Sequence, residues 1–175
     1  MVFQLAISLA LPFFILASGS SAVGPAPGQI KNLVTFGDSY SDIPLPGDDG
    51  TPWPIYAASY GHFKLFPFAV AGATCSNNIT PVNFESVMES QLPLYLAELK
   101  NGSIKVNLEE TMHTLWIGTN DVGDSTLTTG QQVPGKTLVD VAMCPLTWIQ
   151  TLYEAGARNF VIQNVDTSSL VSAAL

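Results

Sequence analysis

Basic side chains are scarce in this 175-residue sequence: 6 Lys plus Arg stand against 14 Asp plus Glu, a net charge of −8, and they form no cluster. That removes the positive footprint that nucleic acid or an anionic membrane surface requires, and excludes both as partners. Charge of either sign is low at 11% while apolar residues reach 47%, which excludes a disordered chain. No apolar run attains the roughly 20 residues of a membrane-spanning helix, so no stable membrane anchor is expected. Histidine and cysteine occur twice each. No His/Cys/carboxylate spacing suits a metal and no glycine loop suits a phosphate, so neither a metal nor an organic cofactor is expected. The length allows one domain at most.

What is present begins with a leader. Met1 to Ala22 carries no charged side chain, is apolar from Leu5 to Leu16 around Pro12, and ends in the small residues Ser18 to Ala22. This is the pattern of a secretory signal peptide cleaved after Ala22. We therefore read 1–22 as signal peptide, 23–30 as a Gly/Pro-rich linker and 31–175 as the folded part of a secreted, extracellular protein. In that setting Asn78-Ile79-Thr80 and Asn101-Gly102-Ser103 are N-glycosylation sequons, each expected on a surface loop. Cys75 and Cys144 could pair in an oxidising compartment, which would be worth about 4 kcal/mol for so long a loop. Two buried free thiols, or partners elsewhere, are the alternatives.

Apolar patterning supplies the fold. Leu33 to Phe36, Leu65 to Val70, Leu115 to Ile117 and Phe160 to Ile162 are short apolar runs that suit buried strands, three of them closed by Gly37, Gly72 and Gly118. Between them, Asp38 to Pro54 is too rich in Pro and Gly for a regular element, and Ile55 to Tyr60 suits a short helix. Leu92, Tyr95, Leu96 and Leu99 recur at helical spacing with Pro93 in the first turn and Gly102 past the end. A longer helix is predicted from about Thr137 to Ala155, with Leu138, Val141, Ala142, Ile149, Leu152 and Tyr153 on one face, Pro145 inside and Gly156 as its cap. Strands alternating with helices predict parallel βαβ units in an open α/β sheet, whose functional edge lies beyond the carboxyl ends of the strands.

That edge is where the chemistry-bearing residues collect. The first strand delivers Gly37-Asp38-Ser39-Tyr40-Ser41-Asp42, where a serine on a glycine-led turn can present its hydroxyl while backbone N–H groups converge on an anion. The second delivers Ala71-Gly72-Ala73, whose bare glycine lets a ligand approach its N–H. The third delivers Gly118-Thr119-Asn120-Asp121, with the Asn120 amide as a side-chain donor.

From about Lys31 onward the sequence resembles the SGNH, or GDSL-type, hydrolases, and within them the fungal carbohydrate acetylesterases of carbohydrate esterase family sixteen. The resemblance rests on five ordered segments: Phe36 to Asp42, Gly50 to Tyr56, Phe68 to Thr74, Trp116 to Asp121 and Leu152 to Phe160. It implies a flavodoxin-like three-layer sandwich, cofactor-free acyl transfer and an acylated carbohydrate or other small ester as substrate. It also implies Ser39 as nucleophile, with the Ser39 and Gly72 N–H groups and the Asn120 side chain as oxyanion hole, and Asp38 and Asp42 as turn-organising groups. Trp53 falls where such enzymes place an aromatic near the acyl or sugar site; a core tryptophan after the loop is the equal alternative.

The family completes its triad with an Asp-x-x-His motif near the carboxyl end, and this sequence contains none: the triad Asp and His are missing. His113 is read as preceding the third strand, about 15 Å from the functional edge at roughly 3.3 Å per residue, and His62 has no role by spacing or resemblance. Asp166 follows the fourth strand, but three residues on stands Ser169 rather than histidine. A serine without a base is a weak nucleophile. The expectation is therefore the amino-terminal part of an esterase domain, incomplete at its carboxyl side. It should be weak or inactive as given, and prone to self-association through an unfinished sheet. The alternative is a non-catalytic secreted protein that keeps the cleft and binds acylated sugars or a partner.

Overall fold

The computed structural model describes residues 24–43, 50–123 and 132–163. The signal-peptide reading of 1–22, and Asp166 and Ser169, lie outside the described residues. Four strands, β1 (Asn32–Gly37), β2 (Lys64–Pro67), β3 (Thr111–Trp116) and β4 (Asn159–Gln163), form one sheet in the order β2-β1-β3-β4, every pair parallel. The α-helices are α1 (Trp53–Gly61), α2 (Leu92–Asn101), the single turn α3 (Thr119–Val122) and α4 (Leu138–Glu154), and a π-helical turn, Val87–Gln91, leads directly into α2. The protein is an α/β fold built on a four-stranded parallel sheet flanked by helices, as the alternating pattern predicts.

Handedness then fixes the layers. The path from β1 to β2 moves one way across the sheet, whereas β2 to β3 and β3 to β4 move the other way. Right-handed crossovers place α1 on one face and α2 and α4 on the opposite one. The reversal falls between β1 and β3, which makes their carboxyl ends the crevice where ligands bind in sheets of this kind.

Register builds the core beneath α2 and α4. Val34 pairs with Phe66 and His113, His113 with Phe160, and Phe36 with Leu115, so these side chains share a face. Onto it α2 lowers Tyr95, whose ring meets Phe36 edge-on at 5.5 Å, and α4 lowers Trp148, which meets Phe36 at 5.4 Å and Phe160 at 6.0 Å. Phe36, Tyr95, Leu115 and Trp148 are completely buried. Helix α4 starts on a capping box in which Thr137 and Asp140 satisfy each other's orphan groups.

Three expectations need correction. The third strand begins at Thr111, not Leu115, so His113 lies inside it and is fully buried rather than preceding it. Thr111, Met112, His113 and Thr114 make no apolar run, yet their β-branched threonines and pairing with β1 hold them in the sheet. The buried stripe of α4 is Val141, Cys144, Trp148 and Leu152, while Leu138, Ala142 and Tyr153 face outward. Tyr153 carries the Arg158 guanidinium 4.2 Å above its ring instead. The second strand spans only Lys64–Pro67 of the apolar run from Leu65 to Val70, although the Phe68 and Val70 N–H groups still donate to the Thr35 and Gly37 carbonyls of β1 at 2.8 and 3.1 Å.

Cys75 and Cys144 form a disulfide across 69 residues, tying α4 to the turn that follows β2. Closing that loop is worth about 4 kcal/mol in the chain-entropy account. Among the described residues, no helix is long and apolar enough to cross a membrane, and no group of His, Cys, Asp or Glu could hold a metal ion.

Candidate functional site

The turn after β1 is shaped by a backbone approach. Gly37 sits at φ +143°, and a Cβ there would lie 2.1 Å from the carbonyl oxygen of Trp116, so only glycine fits. The buried Gln91, just before α2, clamps this residue. Its Oε1 accepts the Gly37 N–H at 3.0 Å and its Nε2 donates to the Gly37 carbonyl at 2.8 Å. The chain then folds over Asp38, whose carbonyl accepts the N–H groups of Ser41 and Asp42 and whose Oδ1 accepts that of Tyr40 at 3.1 Å. Asp38, Ser41 and Asp42 are buried by this arrangement and Ser39 is left exposed.

Hydrogen bonds join this turn to the other two. Asp42 Oδ2 accepts the Ala71 N–H at 2.7 Å, which binds the serine turn to the Gly72 turn. Asn120 Nδ2 donates to the Ala73 carbonyl at 2.8 Å, and the Cys75 N–H donates to Asp121 Oδ2 at 3.0 Å, which binds the Gly72 turn to the one after β3. One of the two Asn120 N–H bonds is therefore engaged with a neighbouring carbonyl. Gly72 takes φ +80°, with the Phe84 ring 2.7 Å from where a Cβ would stand. The backbone N–H groups of Ser39 and Gly72 donate to no acceptor among the described residues.

Aromatic groups frame the turn. Tyr40 stacks on Trp116 at 5.0 Å, and Trp53, half-buried at the start of α1, donates its indole N–H to Ser41 Oγ at 3.1 Å. A cleft of about 220 Å³ lies against Ser39, walled by Tyr40, Asp42, Ile43, Gly50, Thr51 and Pro52. A larger apolar cavity of about 430 Å³ lies between α4 and the ends of β3 and β4, lined by Ile117, Val141, Leu146, Ile149 and Ile162, and does not include Ser39. The smaller cleft is lined by Ser39 and Asp42 but by neither Gly72 nor Asn120.

Two carboxyls under these turns are pushed toward neutrality. Burial raises Asp38 to about 6 against the opposing Tyr40 N–H, and burial raises Asp121 to about 6 against the Cys75 N–H, with the Asp38 charge adding to the rise. Neither histidine joins them. His113 is held in the core with Tyr95 Oη 2.9 Å from its Nε2, and burial lowers it to about 4. His62 is the exposed left-handed cap of α1, two residues before β2, and so at the amino edge of the sheet. No Ser–His–Asp triad is present among the described residues.

Gln91 and Asp121 are parts of this site that the sequence reading passed over. Asp121 stands beside Asn120 in the motif and could have been found by asking what accepts the bare N–H groups of the turn at Cys75. Gln91 offers no local signal, because its partner lies 54 residues away.

No protein-family model matches the chain. It is 29% identical over 188 aligned residues to an acetylesterase of Hypocrea jecorina, covering 89% of this chain and 54% of that protein. It is 27% identical to an acetylesterase of Thermothelomyces thermophilus, covering 86% of this chain and 60% of that one. A solved structure from Lactobacillus plantarum is 18% identical with a TM-score of 0.46, covering 77% of this chain and 56% of that one, a likeness too loose to support an argument. The chain is thus a distant homologue of these fungal proteins, and it spans a little over half their length.

Proposed function

We propose that this chain is the amino-terminal part of a secreted serine esterase of the SGNH, or GDSL-type, superfamily, related to the fungal carbohydrate acetylesterases. Its substrates are acetyl and other small acyl esters on carbohydrates, and Ser39 is the nucleophile. The carrying observation is the exposed Ser39 on a clamped turn, hydrogen-bonded through Asp42 to the Gly72 turn, with the Ser39 and Gly72 N–H groups donating to no acceptor among the described residues and the Asn120 amide bonded into the same set of turns. Attack of Ser39 Oγ on an acyl carbonyl moves negative charge onto the carbonyl oxygen. Preorganised N–H donors stabilise that charge most effectively in a site shielded from water. Asp38 and Asp42 serve by holding the turn, and Trp53 by fixing Ser41.

Both histidines of the sequence stand away from the carboxyl edge, so the Ser39 proton has no imidazole acceptor in the described site. Loss of a triad member typically leaves only about 10³- to 10⁴-fold over water. That same observation favours a second reading, in which the cleft binds acylated sugars without turnover. Self-association belongs to either reading, because β4 has one unpaired edge among the described residues, with Val161 and Ile162 at 40% and 46% exposure.

The decisive experiment incubates the purified chain and its Ser39→Ala variant with an acetylated oligosaccharide and with a fluorophosphonate serine probe. Acetate release and labelling that both vanish in Ser39→Ala are expected for the esterase. Oligosaccharide binding that survives Ser39→Ala, with no acetate released, would instead establish the binding protein. Because the missing base predicts weak labelling and release in the chain as given, the same assay is run on the chain extended with the Asp-x-x-His segment of an acetylesterase relative, and absence of labelling, release and binding there would show that the site is misplaced.

A further inference from the structure

The two sequons occupy opposite structural situations. Asn101 is the last residue of α2 and is exposed, Gly102 takes the left-handed conformation at φ +79°, and Ser103 is exposed beyond it. Asn101 Oδ1 accepts the Ser103 N–H at 2.9 Å, so the three residues form an Asx turn that brings acceptor amide and hydroxyl residue to the surface together. Among the described residues nothing accepts a hydrogen bond from the Asn101 side-chain N–H groups.

At the other sequon the third residue is locked inside. Thr80 has no exposed surface. Its N–H donates to the Ser76 carbonyl at 2.9 Å, its own carbonyl accepts Thr74 Oγ1 at 2.9 Å, and its hydroxyl is buried with no hydrogen-bond partner among the described residues. The neighbouring Ile79 carbonyl accepts the Val133 N–H at 3.0 Å, which lays another segment over the turn. Asn78 is itself exposed, but its Nδ2 donates to Glu89 Oε1 at 2.9 Å. Glu89 also gathers Ser76 Oγ, Ser86 Oγ and the Asn77 N–H. Three residues before Asn78, Cys75 is fixed to α4 by the disulfide.

We propose that Asn101 is the N-glycan acceptor of the folded chain, whereas Asn78 can accept a glycan only before Thr80 is buried and the Cys75–Cys144 bond closes. In the transfer, the side-chain nitrogen attacks the anomeric carbon of an oligosaccharide carried on a polyisoprenyl diphosphate. The carbon–oxygen bond to the diphosphate breaks, the lipid diphosphate leaves with the electron pair, and one amide proton passes to a base of the transferase. The transferase must hold the sequon hydroxyl while this happens, and in the folded chain it can reach that of Ser103 but not that of Thr80. Helix α2 runs from the carboxyl edge of the sheet, where Gln91 meets Gly37, toward the amino edge, about 15 Å away for its ten residues. A glycan at Asn101 therefore hangs from the end of the molecule opposite Ser39 and leaves the cleft open.

Occurrence of this modification in a cell rests on the secreted reading, but the assay does not. The oxidised, folded, unglycosylated chain is given a purified oligosaccharyltransferase and its lipid-linked donor, beside a reduced and denatured sample. Site occupancy is read by mass spectrometry. We expect Asn101 occupied in both samples, and Asn78 at least tenfold lower in the folded sample but comparable to Asn101 in the denatured one; Asn101→Gln should leave the folded chain nearly unmodified. Equal occupancy of both sites in the folded sample, or an unmodified Asn101 there, overturns the proposal. Failure of the secreted reading shows itself separately, as a chain made in a eukaryotic host that keeps residues 1–22.

Discussion

The strands β1 and β4 belong to one sheet yet live in different surroundings. All six residues of β1 are buried, whereas no residue of β4 is, and Val161 and Ile162 are exposed. β1 has a strand on each side, a helix layer over each face, and the Gln91 clamp at its end; β4 has one neighbouring strand among the described residues. The chemistry-bearing turns sit on β1, β2 and β3, at the direction reversal of the sheet, and none of them depends on β4. The centre of the sheet is thus determined by many mutually supporting contacts, while its β4 margin is held by one ladder, the Phe160 ring and the Asn159 side chain, which donates to the Glu109 and Thr111 carbonyls.

Mutations at the two places should separate sharply. Trp148→Ala removes the indole that packs on Phe36 and Phe160, and should destabilise by about 3–5 kcal/mol, read as loss of the urea transition midpoint. A loss below 1 kcal/mol would mean that α4 does not anchor the centre. Gln91→Ala leaves the buried Gly37 N–H without its acceptor and should cost about 1–3 kcal/mol by the same measurement. At the margin, Val161→Thr should change stability by less than about 0.5 kcal/mol, as for most surface substitutions. A larger loss there would show β4 to be as tightly determined as β1.

Acidity tests the same contrast through the buried charges of the centre. Asp38 and Asp121 are raised from 3.8 to about 6, so the folded protein holds protons that the unfolded chain has released. Their contribution is full below about pH 4 and is lost as pH rises through about 6. His113, lowered from 6.5 to about 4, acts the other way, its contribution being complete above about 6.5 and lost as pH falls through about 4. With two carboxyls against one imidazole, Asp121→Asn should lessen the fall in Tm between pH 4 and pH 7. An unchanged pH slope in that variant would place Asp121 in contact with water.

What could be read from sequence follows the same division. Leu33 to Phe36 and Phe160 to Ile162 announce strands because apolar runs bounded by turn residues have few other uses, and Leu92 to Leu99 with Gly102 beyond announces a helix. The first half of β3 was illegible because Thr111 to Thr114 borrow their place from pairing with β1, not from their own hydropathy. The buried face of α4 departs from the apolar pattern because Cys144 and Trp148 carry it, and the pairing of Cys144 depends on the fold bringing Cys75 beside it from 69 residues away. At the site, glycines marked the turns, but the side chains that bind turn to turn, Gln91 and Asp121, work across 54 and 46 residues and leave no local trace.

The Gln91 clamp also decides how the molecule comes apart. Because one side chain at the head of α2 both receives from and donates to Gly37, and the Val70 N–H donates to that same carbonyl, the serine turn cannot open while α2 stays seated. The Gly37 amide accordingly belongs with the last protons to exchange with solvent, at the free energy of global unfolding, whereas amides of the β4 margin exchange through small local openings. Heat would then dismantle the site and the core in a single step, with no population that keeps its fold after losing the geometry around Ser39.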